Sequence, residues 1–230
     1  MQKAHRLIID IGNTRVKYYA DKLFSSVDEL PQNQSYKVNI IASSEPDEVI
    51  KELEAKLKIE NLEIFDPQQQ DYLTGVYPGL GADRVAKLIG ALEKFPGSDV
   101  IVVDFGTATN MSVASKDRKF LGGFISLGLQ ASLQALGKNC QALDDLSDEQ
   151  PLALDLAQST QDAILAGTYS GHLAMVDEWL EAAQGLCSND VVKICIGGDA
   201  KYFANLFDHI VEDNELLFAA MTALNEPSLA

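Results

Sequence analysis

Two stretches of the chain put a carboxylate at the mouth of a tight, small-residue turn: Asp10-Ile-Gly-Asn-Thr14 and Asp104-Phe-Gly-Thr-Ala-Thr109. An acid where a strand enters such a turn can hold a divalent cation, and the glycine two residues on lets backbone approach a phosphate. Asp10, Gly12, Asn13 and Thr14 are therefore candidate phosphate and metal contacts, with Asp104, Gly106, Thr107 and Thr109 as their counterparts. One Asp-x-Gly alone reads equally well as ordinary turn chemistry. Two in equivalent settings, with a third glycine turn at Gly197-Gly198, suit a nucleoside triphosphate bound in a cleft between two related lobes. A fourth motif, Gly81-Ala-Asp-Arg84, pairs a possible proton acceptor, Asp83, with a planar anion-binding fork, Arg84. Its plain alternative is a helix-capping aspartate followed by a solvated arginine.

The elements that must position these residues alternate between strand and helix. Each Asp-x-Gly lies between an apolar run and an alternating one, so each predicts a β-hairpin. The second follows the first by 94 positions, Asp10 to Asp104, which reads as an internal duplication. Strands are expected at 37–42 and 62–65, with a helix over 46–57 between them. Val85, Leu88, Ile89 and Leu92 fall at helical spacing over 84–95, with Asp83 where a cap would sit. Beyond the second hairpin come a strand at 122–128, a helix at 129–136, and a long helix over 160–183. That helix aligns Leu165, Tyr169, Leu173, Val176 and Leu180 on one face. A buried strand at 191–196 runs into Gly197-Gly198 and a helix over 200–206, the strand, glycine and helix-start arrangement of a nucleotide cradle. A last helix covers 216–224. Phe95-Pro96-Gly97 is the best break, which divides the chain into lobes 1–96 and 97–230.

Composition narrows the partners. The 230 residues carry 34 acidic against 18 basic side chains, a net charge of -16, so the summed field repels nucleic acid and anionic membrane surfaces. An anionic substrate must be held by metal ions, backbone N–H groups or a few placed cations. Cys140, Cys187 and Cys195 form no C-x-x-C pair and are expected to be small buried hydrophobes rather than disulfide or metal ligands. His5, His172 and His209 lack metal spacing. No secretory signal and no run of about 20 apolar residues is present, so a cytoplasmic protein without a membrane span is expected.

The ordered motifs have a family counterpart. Asp10-Ile-Gly-Asn-Thr14, Gly81-Ala-Asp-Arg84, Asp104 to Thr109, Gly122-Gly-Phe-Ile-Ser-Leu-Gly128, Ser159-Thr-Gln-Asp-Ala163 and Ile196-Gly-Gly198 together resemble the type III pantothenate kinases. The resemblance implies an α/β fold of two ribonuclease-H-like lobes, the acetate and sugar kinase/Hsc70/actin type, with the active site in the interlobe cleft of a homodimer. It implies ATP-dependent phosphorylation of pantothenate, the first step of coenzyme A biosynthesis. By motif, Asp10 belongs at the Mg2+ and phosphate end with Asn13, Thr14 and Lys17, and Asp83 is the base. Gly81, Arg84, Thr160 and Tyr77 belong to the pantothenate side. Asp104 is associated with a monovalent cation, K+ or NH4+, and Gly197-Gly198 with adenosine. The chain departs from the family pattern at Leu127, Asn110 and Ile196. The residues alone also permit another small-molecule kinase or phosphatase of the same superfold, or a non-catalytic nucleotide-binding regulator.

Overall fold

A computed structural model of the chain describes residues 4–12, 14–20, 22–151 and 156–225. The chain divides into two compact units, one made of 1–94 with 213–230 and the other of 95–212.

In the first unit, β1 (His5–Ile11), β2 (Val16–Tyr19), β3 (Leu23–Phe24), β4 (Ser35–Ala42) and β5 (Lys58–Ile64) form a sheet in the order β3-β2-β1-β4-β5. The β1–β2 and β2–β3 pairs are antiparallel, and β1–β4 and β4–β5 are parallel. The parallel step from β4 to β5 needs a crossover, and α1 (Asp47–Lys56) supplies it. Alternation along β1 sends Leu7, Ile9 and Ile11 into a core with Val38, Ile40 and Leu53, and sends Ile8 and Asp10 to the opposite face. Each fully buried aliphatic side chain there contributes about 1.5–3 kcal/mol. Two helices, α2 (Ala82–Lys94) and α5 (Asp213–Asn225), complete the unit. They meet at Gly90, where a Cβ would lie 1.9 Å from the Leu216 carbonyl oxygen, so only glycine permits the approach.

The second unit repeats the plan. Strands β6 (Asp99–Phe105), β7 (Ala108–Ser115), β8 (Lys119–Leu127), β9 (Val191–Ile196) and β10 (His209–Ile210) lie in the order β10-β9-β6-β7-β8. The antiparallel and parallel steps fall in the same places as in the first sheet. The duplication expected from the two Asp-x-Gly turns is thus a duplication of whole sheets. After α3 (Leu129–Asn139), the crossover ends in α4 (Thr160–Gln184), whose Val176, Leu180 and Ala183 pack on Ile101, Val103, Phe105 and Met111. Phe203 closes this core, its ring stacked on Phe105 at 4.4 Å and 7°.

Several boundaries differ from expectation. The linear division at 96/97 falls two residues beyond the observed break, and it assigned the last helix to the second lobe, whereas α5 belongs to the first unit because α2 offers it the Gly90 contact. The strand expected at 62–65 starts at Lys58. No α-helix follows Gly197-Gly198. Two 3-10 turns, Ala200–Tyr202 and Ala204–Leu206, occupy that segment, so the expected helix N-terminus is absent there. Of the cysteines, Cys195 is buried, Cys187 is half-buried and Cys140 is exposed. Burial pushes the Cys187 and Cys195 thiols up to about 11. Among the described residues, no helix is long and apolar enough to cross a membrane.

Candidate active site

The first unit gathers five charged side chains on one face of its sheet. Asp10, the last residue but one of β1, is 7% exposed. Lys17 lies directly opposite it in the antiparallel ladder, which puts both side chains on the same face. The Lys17 ammonium meets the Asp213 carboxylate at 2.5 Å, with Asp213 standing at the first position of α5. On α2, Asp83 and Lys87 are one turn apart, with Lys87 Nζ 3.8 Å from Asp83 Oδ2. Ser43, just after β4, donates its hydroxyl to Asp83 Oδ1 at 3.2 Å. Burial raises the Asp10 pKa from its ordinary value. Lys87 and then Lys17 oppose that rise, while Asp83 and Asp213 add to it.

The helix start explains the Gly81-Ala-Asp-Arg84 order. Asp83 is the second residue of α2 rather than its cap, and its carboxylate folds back over Gly81, where a Cβ would be 2.7 Å from Asp83 Oδ1. Arg84 is 7% exposed and engaged, not solvated as the plain alternative supposed. Thr14 is exposed at the β1–β2 turn, and Gly12 donates its N–H to the Arg15 carbonyl at 3.0 Å. Asn13 lies outside the described residues. Tyr77 is 48% exposed in the loop before α2, where its carbonyl accepts from the Leu80 N–H.

The second unit builds its half from backbone. Asp104 sits near the end of β6, and opposite it stands Asn110 where the first hairpin has lysine. Gly197 has φ +94°, and a Cβ there would be 2.5 Å from the Phe105 carbonyl oxygen and 2.7 Å from Asp104 Oδ1. The Asp199 N–H donates to that same carbonyl at 3.2 Å, and the Gly128 N–H donates to the Thr107 carbonyl at 2.9 Å. Three turns are thereby stitched together, with Gly106, Thr107 and Gly198 exposed on them. Thr109 does not join them: it faces the core at 1% exposure, its hydroxyl without a hydrogen-bond partner. Alternation along β7 puts it on the side of Met111 rather than of Asn110. Thr160 is exposed as the first residue of α4, whose N-cap Ser159 accepts from the Asp162 N–H.

Five polar side chains of this setting escape a local reading of the sequence: Ser43, Lys87, Asp213, Asp199 and Gln130. Lys87 carries the one usable signal, its i+4 spacing from Asp83. Asp199 is 8% exposed and accepts from Gln130 Nε2 at 3.4 Å, and burial raises its pKa against Lys201 and His172. Among the described residues no cluster of three His, Cys, Asp or Glu could hold a metal by itself. Asp10 alone offers one desolvated carboxylate, a donor that suits a hard divalent cation whose other ligands come from elsewhere. A groove of about 650 Å³ lined by Asp177, Glu181, Lys193 and Asn205 contains none of the candidate site residues.

The family model for type III pantothenate kinase matches residues 17–182. The chain is 38% identical over 138 residues to a type III pantothenate kinase of Acidobacterium capsulatum, covering 60% of this chain and 50% of that protein. It is 34% identical to one of Legionella pneumophila, covering 58% and 54%. The chain thus spans about half the length of the curated relatives it matches. Among solved structures, one from Campylobacter jejuni described as a Baf family transcriptional activator aligns over 95% of this chain and 96% of its own, at TM-score 0.65 and 25% identity. The psk41 ParM protein aligns over 97% and 98% at TM-score 0.52 and 11% identity, which bears on fold alone. The fold is the acetate and sugar kinase/Hsc70/actin type.

Proposed function

The chain belongs to the type III pantothenate kinase family, and from that premise we propose that it transfers the γ-phosphoryl group of ATP to the primary hydroxyl of pantothenate, opening coenzyme A biosynthesis. The observation that carries this reading is the constellation of Asp10, Lys17 and Asp83 on one face of the first sheet, with a second Asp-x-Gly turn at Asp104. A transferred phosphoryl is metaphosphate-like, so the protein needs to align the hydroxyl and neutralise oxygen charge rather than form covalent bonds.

In this reading Asp83 orients the pantothenate hydroxyl and receives its proton. Ser43 and Lys87 fix the direction of the Asp83 carboxylate. Arg84 and Gly81, with Tyr77 and Thr160, serve the pantothenate side. Gly12, Asn13, Thr14 and Lys17 serve the phosphates in the first unit, as do Gly106 and Thr107 in the second, and Gly197-Gly198 serves adenosine. When bound at Asp10, Mg2+ would supply charge neutralisation on the β- and γ-phosphates. Asp104 beside the Phe105 carbonyl is an oxygen pair of the kind a monovalent cation, K+ or NH4+, accepts. In this reading the chain forms a homodimer, a proposal supported by the exposed Phe124, Ile125 and Leu127 of edge strand β8. In this reading the protein works in the cytoplasm.

The test is ADP release by the purified chain with Mg-ATP, with and without pantothenate, and with K+, NH4+ or Na+ as the sole monovalent cation. Pantothenate-dependent turnover that requires K+ or NH4+ is expected. A second reading, a nucleotide-binding regulator, is favoured by the description of the Campylobacter structure. It predicts ATP binding with no pantothenate-dependent turnover, and that result would overturn the kinase reading.

A further inference from the structure

Lys87 is out of place by composition. It lies in the middle of a helix whose other inward residues, Arg84 apart, are apolar or glycine, and it is 5% exposed. An ammonium taken out of water costs several kcal/mol unless carboxylates compensate it. Within the first unit two do. Its Nζ is 3.8 Å from Asp83 Oδ2, and of the two lysines acting on Asp10 it is the stronger. Lys17, the other lysine near Asp10, is already committed to Asp213 at 2.5 Å and is far more exposed, with 35% of its side chain accessible. The two carboxylates repel one another, and Lys87 is a buried positive charge that offsets this for buried Asp10 and half-buried Asp83.

We infer that Lys87 is a resident cation: its ammonium, buried 3.8 Å from Asp83, supplies in the free protein the positive charge that a metal ion would otherwise bring to Asp83 and Asp10. Two consequences follow from charge alone. The free protein needs no metal to hold Asp10 and Asp83 together, so metal is recruited only with the phosphate oxygens of the nucleotide. Lys87 is also a positioning residue for Asp83, since it anchors one carboxylate oxygen while Ser43 holds the other. Neither consequence depends on which acceptor is phosphorylated.

The experiment uses the full chain without nucleotide and Mn2+ alone as the probe, read by the electron paramagnetic resonance signal of free Mn2+ and by the shift in Tm. Lys87→Gln removes the charge, Lys87→Arg retains it, and the double variant Lys87→Gln/Asp10→Asn removes one of the two carboxylates. Lys87→Gln should bind Mn2+ at least about tenfold more tightly than the wild type, because one opposing charge has been removed from beside two carboxylates. Lys87→Arg should behave as the wild type, and the double variant should lose the gain. If Lys87→Gln does not fold without metal, a refolding yield that rises with Mn2+ supports the inference, and a yield indifferent to Mn2+ overturns it. Equal Mn2+ affinity in the wild type, Lys87→Gln and the double variant also overturns it, whatever pantothenate turnover shows.

Discussion

The hairpin β1–β2 of the first unit and β6–β7 of the second share a sheet position, an Asp-x-Gly turn and a strand order, yet their surroundings differ in kind. Asp10 faces Lys17 across the ladder and Asp83, Lys87 and Asp213 from α2 and α5. Asp104 faces Asn110 and is enclosed by the Gly197 turn and the Phe105 carbonyl. A duplicated backbone therefore supports two different electrostatic designs. The first unit surrounds its turn aspartate with charged side chains, and the second surrounds its own with backbone carbonyl groups and an amide side chain, because a strand's end takes its chemistry from whatever packs over it.

The largest effect should come from the charged unit. Asp83→Asn removes the proposed proton acceptor while keeping its shape, and kcat for pantothenate phosphorylation should fall by about 10²–10⁴-fold with KM little changed. A loss confined to KM would make Asp83 a substrate contact and blur the contrast between the units. The backbone-built unit should be the more sensitive to glycine replacement. Gly197→Ala combines a positive φ with a carbonyl oxygen 2.5 Å from the new Cβ, and should cost about 3 kcal/mol or more in chemical denaturation. Gly12→Ala, whose Cβ would meet the Arg15 carbonyl oxygen at 3.3 Å, should stay within about 1 kcal/mol. Equal losses at the two turns would break the comparison.

Two buried carboxylates sharpen it further. Asp99, 4% exposed at the start of β6, accepts the N–H groups of Lys116 at 2.8 Å and Ser188 at 2.5 Å. Its burial acts to raise its pKa, but the hydrogen bonds from Ser188 and Lys116 outweigh it and leave the pKa below the ordinary 3.8. A lowered carboxyl pKa stabilises the fold above the unfolded value and loses that contribution as pH falls through the folded one. Asp99→Asn should therefore cost about 1–3 kcal/mol at pH 7, a gap that shrinks as denaturation is repeated below pH 3.8. Asp10 has the opposite sign. Its pKa is raised by burial, so its contribution is present below the unfolded value of 3.8 and is lost as pH rises through the folded value. Asp10→Asn should abolish turnover yet raise Tm at pH 7 by about 2–4 °C, the shift that accompanies about 1 kcal/mol in a chain of this size. A lower Tm would mean that Lys17 and Lys87 overcompensate the cost of burial.

Local pattern determined much of this molecule. Period-two alternation and the glycine turns located both hairpins, the apolar run 191–196 matched β9 residue for residue, and the helical spacing of Leu165, Val176 and Leu180 marked the buried face of α4. Asp10, Asp83 and Asp104 were legible because each sits in a short motif whose residues are sequence neighbours. Other features depended on partners far along the chain. Nothing near residue 213 announces that the first residue of α5 will pair with Lys17, 196 positions away. Thr109 looked like a turn hydroxyl until the pleat turned it into the core, and Gly197-Gly198 promised a helix that the tight contact with Phe105 replaced by 3-10 turns. Sequence by itself set the strands, the turns and the acids at their ends, since those follow from short-range sterics and hydrophobic period. Only tertiary structure decided which lysines face those acids, which carboxylates are buried, and to which unit the last helix belongs, because Coulomb and desolvation energies depend on distance in space and not along the chain.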